Sequence, residues 1–286
     1  MGLITQLTIK SAIINEVKKQ KTFTGFKIRG LIYKILREVD EDLATKLHEA
    51  KKLAPIAVTP IYKERKTSHT AYMKITILDE KLSQKLSNYI LKLPLGSILN
   101  LDVLKLQPLE VSIVCIDTKK LVKNAEPITK FSIIFKTPTL FRQSFIRACC
   151  PYCPIPKTTC PHISKAKHYR YVPMPDPYLM LRNLLRLWKA FTGVNLKFKE
   201  YVEWLLLGGI AIAGIPKLKT IRIYEHPTIP KWSVGFIGKV YFNLPEDTYN
   251  EELAKTTDAL LRFGEYSNVG ANRTAGFGVI KYQPKI

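Results

Sequence analysis

The spacing of apolar residues changes along this chain, and each change marks an element. Residues 3–14, LITQLTIKSAII, form an apolar-rich run that predicts a β-strand. From Thr24 the period becomes helical: Ile28, Leu31, Ile32, Ile35, Leu36 and Val39 share one face. Asp40 is placed to cap a shorter helix, EDLATKLHEA, with Leu43 and Leu47 inward. Strands are predicted near 55–62 and 71–78, and a helix near 80–92 carries Leu82, Leu86, Ile90 and Leu93. After the turn at Pro94–Gly96, strand-like segments end at VSIVCID, 111–117. Strand, helix, two strands, helix, strand is the order of a ferredoxin-like unit.

The polar stretch Lys119–Pro127 reads as a link, and beyond it the order repeats. A strand is expected at 128–136, helices at 177–192 and 197–207, strands near 218–225 and 232–242, a helix near 247–262, and a last strand in GFGVIKY. Residues 149–176, rich in Pro and Cys, interrupt this second unit as an insertion. The expected architecture is α+β: two tandem ferredoxin-like (βαββαβ) domains, residues 1–124 and 125–286, with a glycine-rich loop at about 264–281. A single larger α+β domain is the competing organisation.

Charge narrows the partners. The chain carries 45 Lys and Arg against 23 Asp and Glu, net +22. A surface that basic implies an anionic partner, with nucleic acid first and an acidic membrane surface second. The basic residues are spread along the chain (Lys18, Lys19 and Lys21; Lys63, Arg65 and Lys66; Lys165, Lys167 and Arg170), which suits a surface that tracks a phosphate backbone. The N-terminus lacks the features of a signal peptide, and the apolar run Trp204–Ile215 is too short to span a bilayer. A cytoplasmic protein with no membrane partner is expected.

Three groups of residues carry candidate chemistry. In the tail, Gly270, Arg273, Gly276 and Gly278 sit between a helix and the final strand. Glycine lets backbone N–H groups approach a phosphate, and an arginine there can contact it bidentately. The other reading is a tight turn before a strand. On the first helix, Arg29, Tyr33 and Arg37 recur every four residues on a second face, with Lys27 nearby, as a surface for phosphates and stacked bases. His48 ends the next helix and Lys51 and Lys52 follow it. Imidazole titrates near neutrality and a lysine stabilises phosphate charge, which are the groups RNA cleavage by a 2′-hydroxyl needs. A structural histidine is the alternative.

Cysteines cluster in CCPYCPIPKTTCPHI. Cys150 and Cys153 have knuckle spacing, and Cys160 with His162 could complete a tetrahedral structural zinc site. A disulfide and free thiols are the other readings.

The tail VGANRTAGFGV resembles the glycine-rich loop of the CRISPR repeat-processing endoribonucleases of the RAMP superfamily, with Asn268 in place of the first glycine. RGLIYKILREVDEDLATKLHEAKK is similar to that family's N-terminal segment, where a tyrosine-bearing helix leads to a leucine-histidine pair and a lysine. The resemblance implies a catalytic set of Tyr33, His48 and either Lys51 or Lys52, with Lys52 preferred. It implies a metal-independent endoribonuclease acting on CRISPR repeat RNA, with no cofactor required for catalysis. The expected products carry 2′,3′-cyclic phosphate and 5′-hydroxyl ends. It also allows association with CRISPR effector-complex subunits and a homodimer. The alternative is a non-catalytic RNA-binding subunit of such a complex.

Overall fold

A computed structural model describes residues 2–16, 23–49, 53–64, 69–101, 104–144, 169–224 and 232–285. The first unit comprises β1 (Leu3–Glu16), α1 (Gly25–Val39), α2 (Glu41–Glu49), β2 (Ile56–Val58), β3 (Tyr62–Lys63), β4 (Thr70–Ile77), α3 (Glu80–Leu91), β5 (Leu99–Asn100) and β6 (Leu104–Asp117). Its sheet runs β2-β4-β1-β6-β5, all antiparallel, with β3 also on β4. The central order is the ferredoxin-like one.

The apolar stripe of α1 explains its position: Ile28, Ile32, Ile35 and Leu36 are buried against Leu7, Ile9, Met73 and Ile75 of the sheet. Asp40 accepts from the N–H of Leu43 at 2.9 Å, as its spacing predicted. The single strand expected at 55–62 is two short ones, because Pro60 lacks an N–H for the ladder.

α4 (Thr118–Lys123) replaces the link expected from Lys119. Asp117 caps it, accepting from the N–H of Lys119 at 2.9 Å. The second unit follows: β7 (Lys130–Thr139), β8 (Phe141–Ser144), β9 (Tyr169–Val172), α5 (Pro177–Phe191), α6 (Phe198–Leu206), β10 (Ala211–Tyr224), β11 (Trp232–Asn243), α7 (Glu251–Ser267) and β12 (Ile280–Lys285). Its sheet runs β10-β11-β7-β12, again the ferredoxin-like order. β8 and β9 form a separate antiparallel pair, so the end of the expected insertion is a strand. Helices α5 and α7 cover one sheet face, burying Leu184, Trp188, Leu260 and Phe263 with Phe131, Phe135, Phe236 and Phe242. The fold is thus α+β with two ferredoxin-like units in tandem. Among the described residues, no helix is long and apolar enough to cross a membrane.

A third, small core stitches the units together. Phe277 of the glycine-rich loop meets Phe23 at 5.1 Å and Phe26 at 5.7 Å between ring centroids, with Leu140, Ala271 and Ala275 buried around it.

Candidate active site

The glycine-rich loop leaves α7 at Asn268, whose φ of 56° turns the chain. Its side-chain amide donates to the carbonyl of Val58 in β2 at 2.8 Å. Gly278 adopts φ +70°, and a Cβ there would lie 1.8 Å from the Val269 carbonyl oxygen. This position therefore admits glycine alone, on both conformational and steric grounds. Gly270 donates its N–H to Asn183 Oδ1 at 2.9 Å. Gly276 lies against Pro60 of the first unit.

Arg273 is the unexpected member. Its guanidinium runs inward and is nearly fully buried. Nη1 donates to the Ser267 carbonyl at 2.8 Å and Nη2 to the Ala54 carbonyl at 2.7 Å. Burial pulls its pKa down to about 10, so it remains a cation at ordinary pH. The first bond holds the loop to the end of α7, and the second ties it to the segment between α2 and β2.

That docking creates a cleft of about 540 Å³ between the units. α1 contributes Arg29 and Tyr33, α2 Leu47, and the segment before β2 Leu53 and Ala54. The second unit contributes Arg142 from β8, Arg182, Asn183 and Arg186 from α5, and Gly270–Thr274 from the loop. The Tyr33 hydroxyl is 3.4 Å from the Leu47 carbonyl, to which it donates. The phenol is therefore held beside the Leu47–His48 peptide. Burial raises its pKa above the usual tyrosine value, and the Arg29 cation opposes that rise. Arg29 itself lies over the Phe26 ring, 5.2 Å from its centroid.

Of the residues singled out in the sequence, Tyr33, Arg29, Gly270 and Arg273 come together in this cleft. Arg37 is exposed further along α1, and it and Lys27 lie outside the cleft wall. His48 lies in α2 next to Leu47, but its side chain is outside the described residues, as are Lys51 and Lys52. Cys150, Cys153, Cys160 and His162 are also outside them. Among the described residues, no group of three or more His, Cys, Asp or Glu could hold a metal ion.

Sequence reasoning missed Arg142, Arg182 and Arg186. The last two recur at i and i+4, opposite the buried stripe of α5, which was the available signal. Arg142 sits at 5.0 and 5.5 Å from the ring centroids of Tyr169 and Tyr171. The cleft thus combines several cations with a phenol held protonated, an arrangement suited to binding a polyanion and donating hydrogen bonds to it.

No match was found among curated protein sequences. The chain is similar in structure to a Cas6 product complex (TM-score 0.75, 22% identity, 100% of each chain covered). It is also similar to Thermus thermophilus Cas6 (TM-score 0.69, 21% identity, 99% of each chain covered). A further likeness is the structure titled for a Cas6-related gene from Pyrococcus furiosus (TM-score 0.59, 11% identity, 98% of each chain covered). At these identities the likenesses establish a shared fold. Residues 133–280 match the family model for CRISPR-associated endoribonuclease Cas6, more than half of the 286-residue chain. The chain therefore belongs to the Cas6 family of CRISPR-associated endoribonucleases.

Proposed function

We propose that this protein cuts CRISPR precursor RNA within its repeats, without a metal, through attack of a 2′-hydroxyl on the adjacent phosphate. The new O–P bond closes a 2′,3′-cyclic phosphate, and the broken P–O bond leaves a 5′-hydroxyl. One proton must leave the 2′ oxygen and one must reach the departing 5′ oxygen. His48 is the group assigned to proton transfer, since imidazole changes charge near neutral pH. Lys51 or Lys52 would stabilise the added charge on the phosphorus oxygens.

The observation that carries this reading is the Tyr33–Leu47 hydrogen bond inside an arginine-lined cleft. It sets a phenol against the peptide of His48, although the two residues lie on different helices. With its pKa raised, Tyr33 keeps its single proton, which it can turn from the Leu47 carbonyl to the 2′-hydroxyl or the phosphate of bound RNA, and the base role falls to another group. Arg29, Arg142, Arg182 and Arg186 bind flanking phosphates. The geometry of Arg273 supports a role in holding the loop that closes the cleft.

The test is cleavage of labelled repeat RNA in EDTA by the wild type and by His48→Ala. A parallel substrate carries a 2′-deoxy nucleotide at the cut. Cleavage by the wild type, lost with either change, is expected. Cutting of the deoxy substrate overturns the mechanism, and tight binding of several repeats without cutting supports a non-catalytic RNA-binding subunit instead.

A further inference from the structure

The β8–β9 pair carries a feature that phosphate binding does not use. Its register sets Arg142 opposite Tyr171, and Phe141 opposite Val172. Alternation then divides the ribbon. Phe141 is buried in the second unit's core with Val172 packed against that core, while Arg142, Tyr169 and Tyr171 share the other face. The two phenol rings meet edge to face, 5.4 Å apart at 71°. The Arg142 guanidinium lies over both rings, 5.0 and 5.5 Å from their centroids, and donates to the Tyr171 hydroxyl at 3.4 Å, so the stack presents its own outer faces.

Tyr169 and Tyr171 remain 36% and 43% exposed, although a two-stranded ribbon has little other means of stabilising itself. Among the described residues, Arg142 has no carboxylate partner, and it lines the cleft together with Arg182 and Arg186. An exposed π-surface beside unneutralised cations matches one ligand chemistry, a nucleotide whose phosphate meets the arginines and whose unpaired base has a free face.

We propose that Arg142, Tyr169 and Tyr171 form a stacking platform for one unpaired base of the RNA close to the cut phosphate. This rests on the RNA-cleaving reading above and adds a base-binding subsite to it. The platform tolerates any base, because every base has a π-face, but requires that the nucleotide be out of a helix. It therefore selects RNA by local strandedness at one position.

The experiment measures binding of repeat RNA blocked at the cut by a 2′-deoxy nucleotide. An abasic residue is placed in turn at each position flanking the cut, against the wild type and the Tyr169→Ala/Tyr171→Ala double variant. At one position the abasic residue should weaken wild-type binding by about tenfold, the order expected for one stacked base. The same RNA should bind the double variant no worse than intact RNA does. The Tyr169→Phe/Tyr171→Phe variant, which keeps both rings, should behave as the wild type. If every abasic residue costs the double variant as much as it costs the wild type, there is no platform. Cleavage of intact repeat RNA by the wild type keeps that failure separate from failure of the RNA-cleaving reading.

Discussion

Arg273 donates to the carbonyl of Ala54 at 2.7 Å, across 219 residues of sequence. A cation normally found at the surface is here a buried clasp between two folding units. Removing it as Arg273→Met strands two carbonyls, at about 1–3 kcal/mol each. Arg273→Lys offers one compact ammonium where a planar fork spans both acceptors. Urea unfolding should therefore show both variants destabilised, with Met the worse. A midpoint equal to the wild type's would show that the loop docks without the clasp.

Gly278 of the same loop should contrast with Gly193, which follows α5. Gly193→Ala imposes a left-handed alanine (φ +66°) in open space, at about 1–2 kcal/mol. Gly278→Ala adds a collision with the Val269 carbonyl, and its loss should exceed about 3 kcal/mol because backbone must move. Equal thermal shifts for the two would contradict the tight packing described.

Tyr33 and His48 should separate by pH. The Tyr33 pKa lies above its ordinary value, so no phenol limb is expected in the cleavage profile below pH ~10. A limb that His48→Ala removes would belong to the imidazole, the side chain suited to proton transfer in the neutral range. A rate that falls toward acid makes the imidazole the base, and one that falls toward alkali makes it the acid. Tyr33→Phe should lower single-turnover cleavage and keep the limb. His48→Ala should remove the limb and slow cleavage by about 10²–10⁴-fold.

Arg182 and Arg186 should reveal themselves through salt. If each neutralises one RNA phosphate, each Arg→Ala change should flatten the slope of log affinity against log salt by about 0.7–1. Arg37→Ala, outside the cleft wall, should leave the slope closer to that of the wild type. An unchanged slope in Arg182→Ala/Arg186→Ala would remove them from the RNA path.

High pH should loosen the second unit. The Tyr282 hydroxyl donates to Asp258 Oδ1 at 2.7 Å. Burial first, then the Asp258 carboxylate, raise its pKa well beyond the usual range. The folded state then keeps a proton that the unfolded chain loses above pH ~10, so stability falls as pH rises past that point, by up to about 1.4 kcal/mol per unit per tyrosine. Melting curves should show a shallower alkaline decline for Tyr282→Phe than for the wild type.

Much of the fold could be read from the residues because burial leaves a period. The stripe of α1, the Asp40 cap and the strand-helix order all follow from local rules. α4 was hidden because TKKLVK is short and polar, and its helix depends on the Asp117 cap and on packing against α7. The site was legible only in part. Tyr33 and Arg29 announced themselves by spacing on a helix. Arg182 and Arg186 looked like any solvated face, since only the docked loop makes that face a wall. The inward turn of Arg273 had no local signal: the carbonyls it serves belong to Ala54 and Ser267, and only the tertiary fold brings Ala54 there.

The clasp also imposes an order in time. A ribosome delivers Ala54 long before Arg273, so a growing chain can complete the first ferredoxin-like unit while the wall formed by residues 270–274 does not yet exist. The cleft between the units can be completed only once the glycine-rich loop has emerged and closes onto the segment around Ala54. Completion of that cleft is thereby deferred until nearly the whole of both units has been made.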